Sequence, residues 1–347
     1  GVIRWGYAVQ RTATRLFRSV PFLAGEQTPK ATTGKPAVRD QVIHLVKKPL
    51  PGGLPAKPMR SLLGMEDERV VPILRDPEKT RDSAEAVFYF PGCGSERLFS
   101  QIGLATLAML YRQGVQTVVP PGYLCCGYPQ TAGGDATRGK QISTDNRVLF
   151  HRVANTLNYL DIKTVIVSCG TCMDQLLKYE FERIFPGCRL LDIHEYLMEK
   201  GIRLDGVTGV QYLYHDPWHT PMKTHNPIRV ARQLVGQEVL LSDRCCGEAG
   251  TLAVSRPDIS TQVRFRKLEE LRDGIKQLSG AARADNGNVK MLPSCPACQQ
   301  GLMRYVDDTG METDYIVVEL ANHLLGEGWQ ERFVSDVTHG GIERVLL

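Results

Sequence analysis

Residues 121–134 read PGYLCCGYPQTAGG, and residues 164–172 read TVIVSCGTC. In both stretches cysteines follow an apolar run, and the run FYF further upstream is also followed by a cysteine. Thiols grouped as CC and CxxC pairs, in a chain of this size without a secretion signal, favour metal or redox chemistry over disulfides. The thiols of this first set are Cys93, Cys125, Cys126, Cys169 and Cys172.

The same order of motifs recurs about 125 residues later, as YLYHDPWH, RCCGEAG and LPSCPAC. Repetition at the period of a whole domain indicates internal duplication. In the second set Trp218 stands where the first set has Cys93. The thiols that remain in the second set are Cys245, Cys246, Cys295 and Cys298.

From Ala86 onward, short apolar runs alternate with segments of helical spacing. This alternation predicts an α/β fold with two homologous Rossmann-like lobes, parallel sheets and crossover helices, related by a pseudo-two-fold axis. Ligands of such sheets bind beyond the carboxyl ends of the strands, where every cysteine motif falls. The predicted division is a basic N-terminal arm over 1–84, cysteine domains over 85–205 and 206–330, and a tail over 331–347.

The composition is that of an ordinary globular protein, with 42% hydrophobic and 23% charged residues. The net charge of +4 is uneven, because residues 1–60 carry a net charge of +9. Residues 1–23 fit an amphipathic helix and residues 24–84 a linker, so we expect an extended docking arm that packs poorly on the lobes. A membrane-surface helix is the alternative for residues 1–23. Since the chain begins with Gly, we expect it to be a piece of a longer protein.

The number of thiols bears on which metal the first set binds. A closed zinc site takes four ligands, whereas a multi-iron cluster can use all the thiols of the first set. Inert buried thiols are the alternative, but they account for a single cysteine better than for a set at loop ends. Nearby glycines allow the backbone to approach a cluster and donate N–H groups to sulfur, and tyrosines are expected to wall the crevice. These residues are Gly92, Gly94, Gly127 and Gly170, with Tyr123 and Tyr128.

The pattern C-x31-CC-x42-CxxC, followed by a second CCG and CPAC, resembles the duplicated cysteine-rich CCG domain. That domain occurs in the cysteine-rich subunit of heterodisulfide reductase, in the iron–sulfur subunit of glycolate oxidase and in lactate-utilisation proteins. The phrases FYFPGCGSERLFSQ, PPGYLCCGYPQTAGG and YHDPWHTPMK are most similar to the C-terminal portion of long bacterial FAD-binding oxidoreductases with ferredoxin and CCG domains. The resemblance covers roughly residues 40–330.

The resemblance implies a non-cubane [4Fe-4S] cluster held by the first set of thiols, with FAD only on a partner or a missing domain. It also implies a thiol at the position of Trp218, whose indole N–H donates hydrogen bonds and cannot bind metal. The four thiols of the second set suffice for a cubane [4Fe-4S] cluster or a zinc ion. We expect this second site to be degenerate, without a five-thiolate cluster and with weak metal occupancy at best.

Electron transfer is the leading functional prediction. In this interpretation, clusters pass electrons from the flavin of a 2-hydroxy-acid dehydrogenase, of the D-lactate or glycolate type, to a quinone or another acceptor. The alternatives are a thiol–disulfide reductase of the heterodisulfide type and a metal-stabilised structural module. The expected partner is a flavin- and ferredoxin-containing portion or subunit, and the absence of a basic stripe argues against nucleic acid. The predicted location is the cytoplasm, with peripheral association at the inner face of the membrane as the alternative.

The remaining side chains of metal-binding type are given structural roles. His215 and His219 flank a turn at Asp216 and Pro217, and we expect them to cap neighbouring backbone in preference to binding metal. His194 is expected at the start of a helix. Cys188 has no counterpart in either set and is expected to be a core or surface thiol.

Overall fold

The computed structural model describes residues 2–20, 34, 37–81, 84–248 and 252–347. Strands and helices alternate along most of this part of the chain, which confirms the predicted α/β class. The predictions for residues 21–33, 35, 36, 82 and 83 lie outside the described residues.

The strands are short, as is usual for buried strands of α/β proteins. They are β1 Val70–Leu74, β2 Ala86–Phe90, β3 Gln116–Val118, β4 Ile162–Val167, β5 Arg189–Asp192, β6 Gln211–His215, β7 Val239–Ser242, β8 Val289–Pro293, β9 Glu312–Thr313 and β10 Ile342–Leu346.

The helices range from single turns to more than five turns. They are α1 Val2–Arg18, α2 Val38–Val46, α3 Met59–Leu63, α4 Ser100–Arg112, α5 Tyr128–Ala132, α6 Ala136–Thr156, α7 Gly170–Leu176, α8 Ile193–Glu199, α9 Pro227–Val235, α10 Leu252–Ser255, α11 Pro257–Ser279, α12 Pro296–Leu302, α13 Val306–Thr309, α14 Ile316–Leu325 and α15 Trp329–Asp336. Among the described residues, no helix is both long enough and apolar enough to cross a membrane.

Two parallel sheets with the same strand order form the centre of the molecule. The first contains the order β3-β2-β4-β5 and the second the order β7-β6-β8-β9. Each strand of one series has its counterpart at the same place in the other, and all the pairings within both series are parallel. We call the strands β2 to β5 with their helices the first lobe, and β6 to β9 with their helices the second lobe. The shared order confirms the predicted pair of Rossmann-like lobes.

Two further strands extend the first sheet. Strand β1 pairs antiparallel with both β3 and β10, at the edge of the first lobe. The sequence predicts a linker and a tail for these two segments, and that prediction is wrong for Val70–Leu74 and Ile342–Leu346. The apolar run VVPIL is short and stands next to stretches rich in Pro and Gly, so its periodicity gave no signal. The boundaries of the predicted domains remain a prediction.

The described part of the N-terminal arm packs on the body of the protein, contrary to the expected poorly packed arm. Met59 and Leu63 are fully buried in the main core, and Leu50 is buried as well. Arg304 of the second lobe donates hydrogen bonds to the carbonyls of Lys48 and Pro49. These contacts tie the arm to the second lobe through buried backbone groups, which composition alone could not reveal.

Helix α1 turns polar residues toward the body of the protein. The Gln10 side chain is buried, and its Nε2 donates to the carbonyls of Leu45 and Lys48 while its Oε1 accepts from the N–H of Leu50. The apolar stripe of the helix is exposed instead, with Trp5 at 70% of its full exposure. Hydrogen bonds rather than hydrophobic burial therefore hold this helix in place.

The Gln10→Ala substitution tests that attachment. It leaves the Leu45 and Lys48 carbonyls and the Leu50 N–H without this partner, at a cost of about 1–3 kcal/mol. We expect amide hydrogens of α1 to exchange faster by about tenfold or more, as measured by mass spectrometry. Trp5→Ala, on the exposed face, is the matched control and should leave exchange unchanged. Equal exchange in the two variants would show that α1 is anchored by other contacts.

Candidate metal centre

The five thiols of the first set meet at the carboxyl ends of β2, β3 and β4. Their side chains form a continuous series in which each thiol interacts with the next. Cys93 contacts Cys125, which contacts its neighbour Cys126. Cys126 contacts Cys172, and Cys172 contacts Cys169. The structure therefore brings together all the thiols that the sequence proposes for the first site.

The second set forms a similar series, which joins the first. Cys245 contacts Cys246, whose Sγ lies 3.2 Å from the Sγ of Cys298. Cys298 contacts Cys295. The thiol of Cys295 also interacts with that of Cys169 in the first lobe. The cysteines of both CxxC motifs thus lie side by side across the boundary between the lobes.

Burial and charge differ along the first series. Cys126, Cys169 and Cys172 are buried, Cys125 is half-buried and Cys93 is exposed. Hydrogen bonds from Cys126 and Cys93 lower the pKa of Cys125 to about 3. The same contacts raise the pKa of Cys93 far above its ordinary value and that of Cys126 to about 12. Because the thiolate is the form that binds metal, the lowered pKa suits Cys125 to a ligand role.

Three of the predicted glycines lie directly against sulfur. The N–H of Gly127 points at the Sγ of Cys125 at 3.4 Å, and the N–H of Gly170 donates to Cys295 of the second lobe. A side chain on Gly92 would place its Cβ 2.7 Å from the Sγ of Cys172. Gly127 and Gly92 also have positive φ angles, which only glycine adopts easily. The second lobe repeats the first arrangement, because the N–H of Gly247 lies 3.3 Å from the Sγ of Cys245.

The two lobes interlock through close backbone contacts at these loops. A Cβ on Gly170 would lie 1.7 Å from the carbonyl oxygen of His219. A Cβ on Gly94 would lie 2.7 Å from the Cβ of Pro296. The first contact joins the CxxC motif of the first lobe to the loop after β6. The second joins the loop after β2 to the CxxC motif of the second lobe. Glycine at 94 and 170 thus permits the approach that brings Cys169 to Cys295.

Tyr315 bridges the two CxxC loops and was not singled out in the sequence. Its hydroxyl oxygen lies 2.8 Å from the carbonyl oxygen of Ser168 and 2.5 Å from that of Ser294, and the two carbonyls share its single proton. These serines directly precede Cys169 and Cys295. The tyrosine is fully buried at the start of α14, so a single hydroxyl fixes both loops from the core side. In the sequence it is marked only by its place at an apolar helix, and that does not distinguish it from other core tyrosines.

A polar series crosses the lobe boundary on the other side of the thiols. The Tyr128 hydroxyl lies 2.8 Å from Nε2 of His219, and Nδ1 of His219 hydrogen-bonds to Asp174. Lys223 pairs with the same carboxylate at 2.8 Å. Tyr128 therefore borders the sulfur array as expected. Tyr123 instead donates to Glu66 and packs against the guanidinium of Arg97 beside the first site, with the Arg97 Cζ 4.2 Å from its ring centre.

The second site differs from the first at its missing thiol. The Trp218 side chain is turned outward and is 84% exposed. His215, at the end of β6, is buried, and one of its ring nitrogens lies within 4.8 Å of the sulfurs of Cys246 and Cys298. Its Nδ1 contacts the carbonyl of Ser242, as the expected capping role requires. His219 bonds to side chains instead, so the capping prediction is wrong for that residue.

Two other predicted residues lie apart from the sulfur array. His194 is buried at the start of α8, as predicted, and Asp192 caps that helix by accepting from its N–H. Cys188 is half-buried, and burial raises the pKa of its thiol to about 11.

The comparison with family models matches residues 87–177 to the cysteine-rich domain CCG. The first lobe carries a CCG domain. The match begins in β2 and includes all the thiols of the first set. A second model, a domain of unknown function named DUF3400, matches residues 303–347.

Curated relatives match about two thirds of the chain at low identity. An uncharacterized iron–sulfur protein of Methanococcus maripaludis is 23% identical over 69% of this chain and 46% of its own length. A fumarate reductase (CoM/CoB) subunit of Methanothermobacter marburgensis is 25% identical over 64% of this chain and 42% of its length. The probable glycolate oxidase iron–sulfur subunit of Bacillus subtilis is 24% identical over 69% and 54%. The chain spans about half the length of these relatives.

The Tyr315→Phe substitution tests the bridge between the CCG domain and the second lobe. It removes one hydroxyl and leaves the buried carbonyls of Ser168 and Ser294 without that donor, which should cost about 1–3 kcal/mol. Denaturant unfolding of reduced, metal-free protein measures the loss. Tyr159→Phe, at an exposed tyrosine, is the control and should be neutral. A neutral Tyr315→Phe would mean that the hydroxyl does not hold the two loops.

The Gly170→Ala substitution tests the close approach of the lobes. The added Cβ meets a backbone oxygen that cannot move independently, so we expect a loss of about 2–3 kcal/mol and weaker lobe packing. Gly6→Ala is the matched control, since a Cβ there has no neighbour within 4 Å. Thermal unfolding of both variants is the measurement. A Gly170→Ala protein as stable as Gly6→Ala would refute the interlock.

Proposed function

We propose that this chain is the iron–sulfur electron-transfer portion of a flavin-dependent 2-hydroxy-acid dehydrogenase. The observation that carries the proposal is the convergence of the CCG-domain thiols on one point at the end of the first sheet. The names of relatives add support, since they include an iron–sulfur subunit of a probable glycolate oxidase and lactate utilization protein A of Shouchella clausii.

The first site suits a [4Fe-4S] cluster of the non-cubane type. Its proposed ligands are Cys93, Cys125, Cys126, Cys169 and Cys172. Thiols outnumber the ligands of a zinc ion, and the N–H of Gly127 is directed at a ligand sulfur, as in iron–sulfur sites. When bound, such a cluster supplies a one-electron carrier between a flavin and an acceptor.

The residues of the chain determine how that carrier is held and reached. Cys126, Cys169 and Cys172 lie in the core and exclude water from one side of the site. Cys93 is exposed and Cys125 half-buried, so the site opens to the surface at that side. The positive charge of Arg97 lowers the pKa of Cys125, after the hydrogen bonds from thiols and the Gly127 N–H, and so favours the thiolate. The exposed side is where a redox partner comes within reach.

The proposed partner is a flavin- and ferredoxin-containing portion or subunit, which supplies the FAD. The substrate proposed for that partner is a D-lactate- or glycolate-like acid, and the final acceptor a quinone or another carrier. The proposed location is the cytoplasm, with attachment to the inner face of the membrane as the alternative. The proposed domains remain 85–205 and 206–330.

Iron analysis of a cysteine variant tests the first site. Anaerobically prepared protein should contain about four irons per chain with an electron paramagnetic resonance signal, and Cys126→Ala should lose most of both. Cys188→Ala is the control and should retain both, because that thiol lies outside the array. Zinc without iron, or equal iron in the two variants, would contradict the proposal and favour a structural module.

A thiol–disulfide reductase is the second candidate, and the exposure of Cys93 favours it. This opening is where a disulfide substrate could reach the first site. Dialkyl disulfides and bulkier disulfides should then change the spectrum of the oxidised first site. Dithionite-reduced protein should also reduce them to thiols. Electron transfer to a quinone without any disulfide reduction would leave the first proposal in place and exclude this one.

A further inference from the structure

In the second site a histidine lies close to the position at which the second repeat lacks a cysteine. Trp218, at the position of the missing cysteine, faces solvent. His215 lies three residues earlier, at the last position of β6, and its side chain enters the group of buried sulfurs. Together they leave a small cavity of about 20 Å³, which is the size of one ion or one water molecule.

We propose that the second site binds one tetrahedral metal ion of the zinc class, through His215, Cys246, Cys298 and Cys295. The imidazole takes the place of the thiol lost at Trp218. The site would be a structural centre between the lobes, with ligands different from those of the iron cluster proposed for the first lobe, although its Cys295 interacts with Cys169 of that cluster.

The orientation of the imidazole suits coordination through Nε2. Nδ1 lies 3.2 Å from the carbonyl oxygen of Ser242 and can donate its proton there. Nε2 is buried and makes no hydrogen bond of ordinary geometry in the described part of the chain, and the polar group with which the imidazole interacts is the thiol of Cys246, itself a proposed ligand. A metal-binding histidine commonly donates its other N–H to a backbone carbonyl, which fixes the tautomer and the ring. A buried nitrogen without a partner is otherwise costly, so an ion at Nε2 accounts for it.

The thiols supply a recognisable chelate. Cys295 and Cys298 form a CxxC at the start of α12, and such a pair is typical of zinc ligands. Cys246 completes the set, with its Sγ 3.2 Å from that of Cys298. Sulfurs around a tetrahedral zinc lie about 3.8 Å apart, given Zn–S distances of about 2.3 Å. The sulfurs of Cys246 and Cys298 therefore need to separate by only about half an ångström.

The surrounding charges suit this ligand set. Three thiolates and a divalent ion leave a net charge of −1 in a buried place. A positive charge nearby lowers the free-energy cost of burying it. Lys267 is buried beside His215, and its Nζ donates to Ser242 Oγ at 2.6 Å and to Glu270 at 2.7 Å. Lys267 also lies 3.2 Å from Nδ1. If Lys267 donated to Nδ1, the ring proton would lie on Nε2 and His215 could not coordinate the ion. The atoms found around the bound ion therefore show which of the two tautomers His215 adopts.

Zinc K-edge X-ray absorption of the full chain, prepared anaerobically and supplied with Zn²⁺, tests the proposal. This measurement is blind to iron in the first site. We expect about one zinc per chain, with three sulfurs at about 2.3 Å and one imidazole nitrogen at about 2.0 Å. His215→Ala should weaken zinc binding by at least about tenfold in competition with a chelator, and remove the imidazole signal. His215→Cys should restore binding with four sulfurs.

His219→Ala is the matched control, because His219 stands in the same loop but bonds to Asp174 and Tyr128. It should keep the zinc and the imidazole signal. Iron in the first site, measured on every variant, reports whether the protein has folded. The proposal is overturned by a zinc shell of four sulfurs that His215→Ala leaves unchanged, by equal losses in His215→Ala and His219→Ala, or by about eight irons per chain with no zinc.

Discussion

The contact between the CxxC loops of the two lobes is the constraint on which the rest of the structure depends. The loops approach one another because Gly170 carries no side chain where the carbonyl of His219 passes. The Tyr315 hydroxyl then holds the carbonyls that precede Cys169 and Cys295. A residue with a side chain at 170, or a core residue without a hydroxyl at 315, would separate the two loops. Both sets of described thiols lie beside this contact.

The contact makes one array out of two repeated sites. Each lobe alone gathers its cysteines at the ends of parallel strands, as sheet geometry requires. The interaction between the thiols of Cys169 and Cys295 adds a connection that neither lobe has by itself. The two ends of the array have diverged. The CCG domain keeps its full set of thiols and opens to solvent at Cys93, which suits electron exchange. The second lobe encloses a histidine, His215, within its thiols, which suits a closed structural ion.

Sequence reasoning predicted the parts of this arrangement that follow from local rules. Strand–helix alternation predicted that the cysteines lie at strand ends. The spacing of the repeats predicted two matching lobes. It could not predict Tyr315, which lies far along the chain from Ser168 and looks like any core tyrosine. The orientation of the His215 ring could not be predicted from the sequence either, because it depends on Trp218 turning outward and on the carbonyl of Ser242. The first-sheet strands β1 and β10 were missed because they pair with each other across most of the length of the chain.

Anomalous diffraction from anaerobic crystals of the full chain is the most direct measurement of the central claim, since it locates the cysteine sulfurs and bound metals without reference to any repeat. Our account predicts the sulfurs of Cys169 and Cys295 as direct neighbours across the lobe boundary, with metal on both sides of them. Two separate groups of sulfurs with protein side chains between them would contradict it.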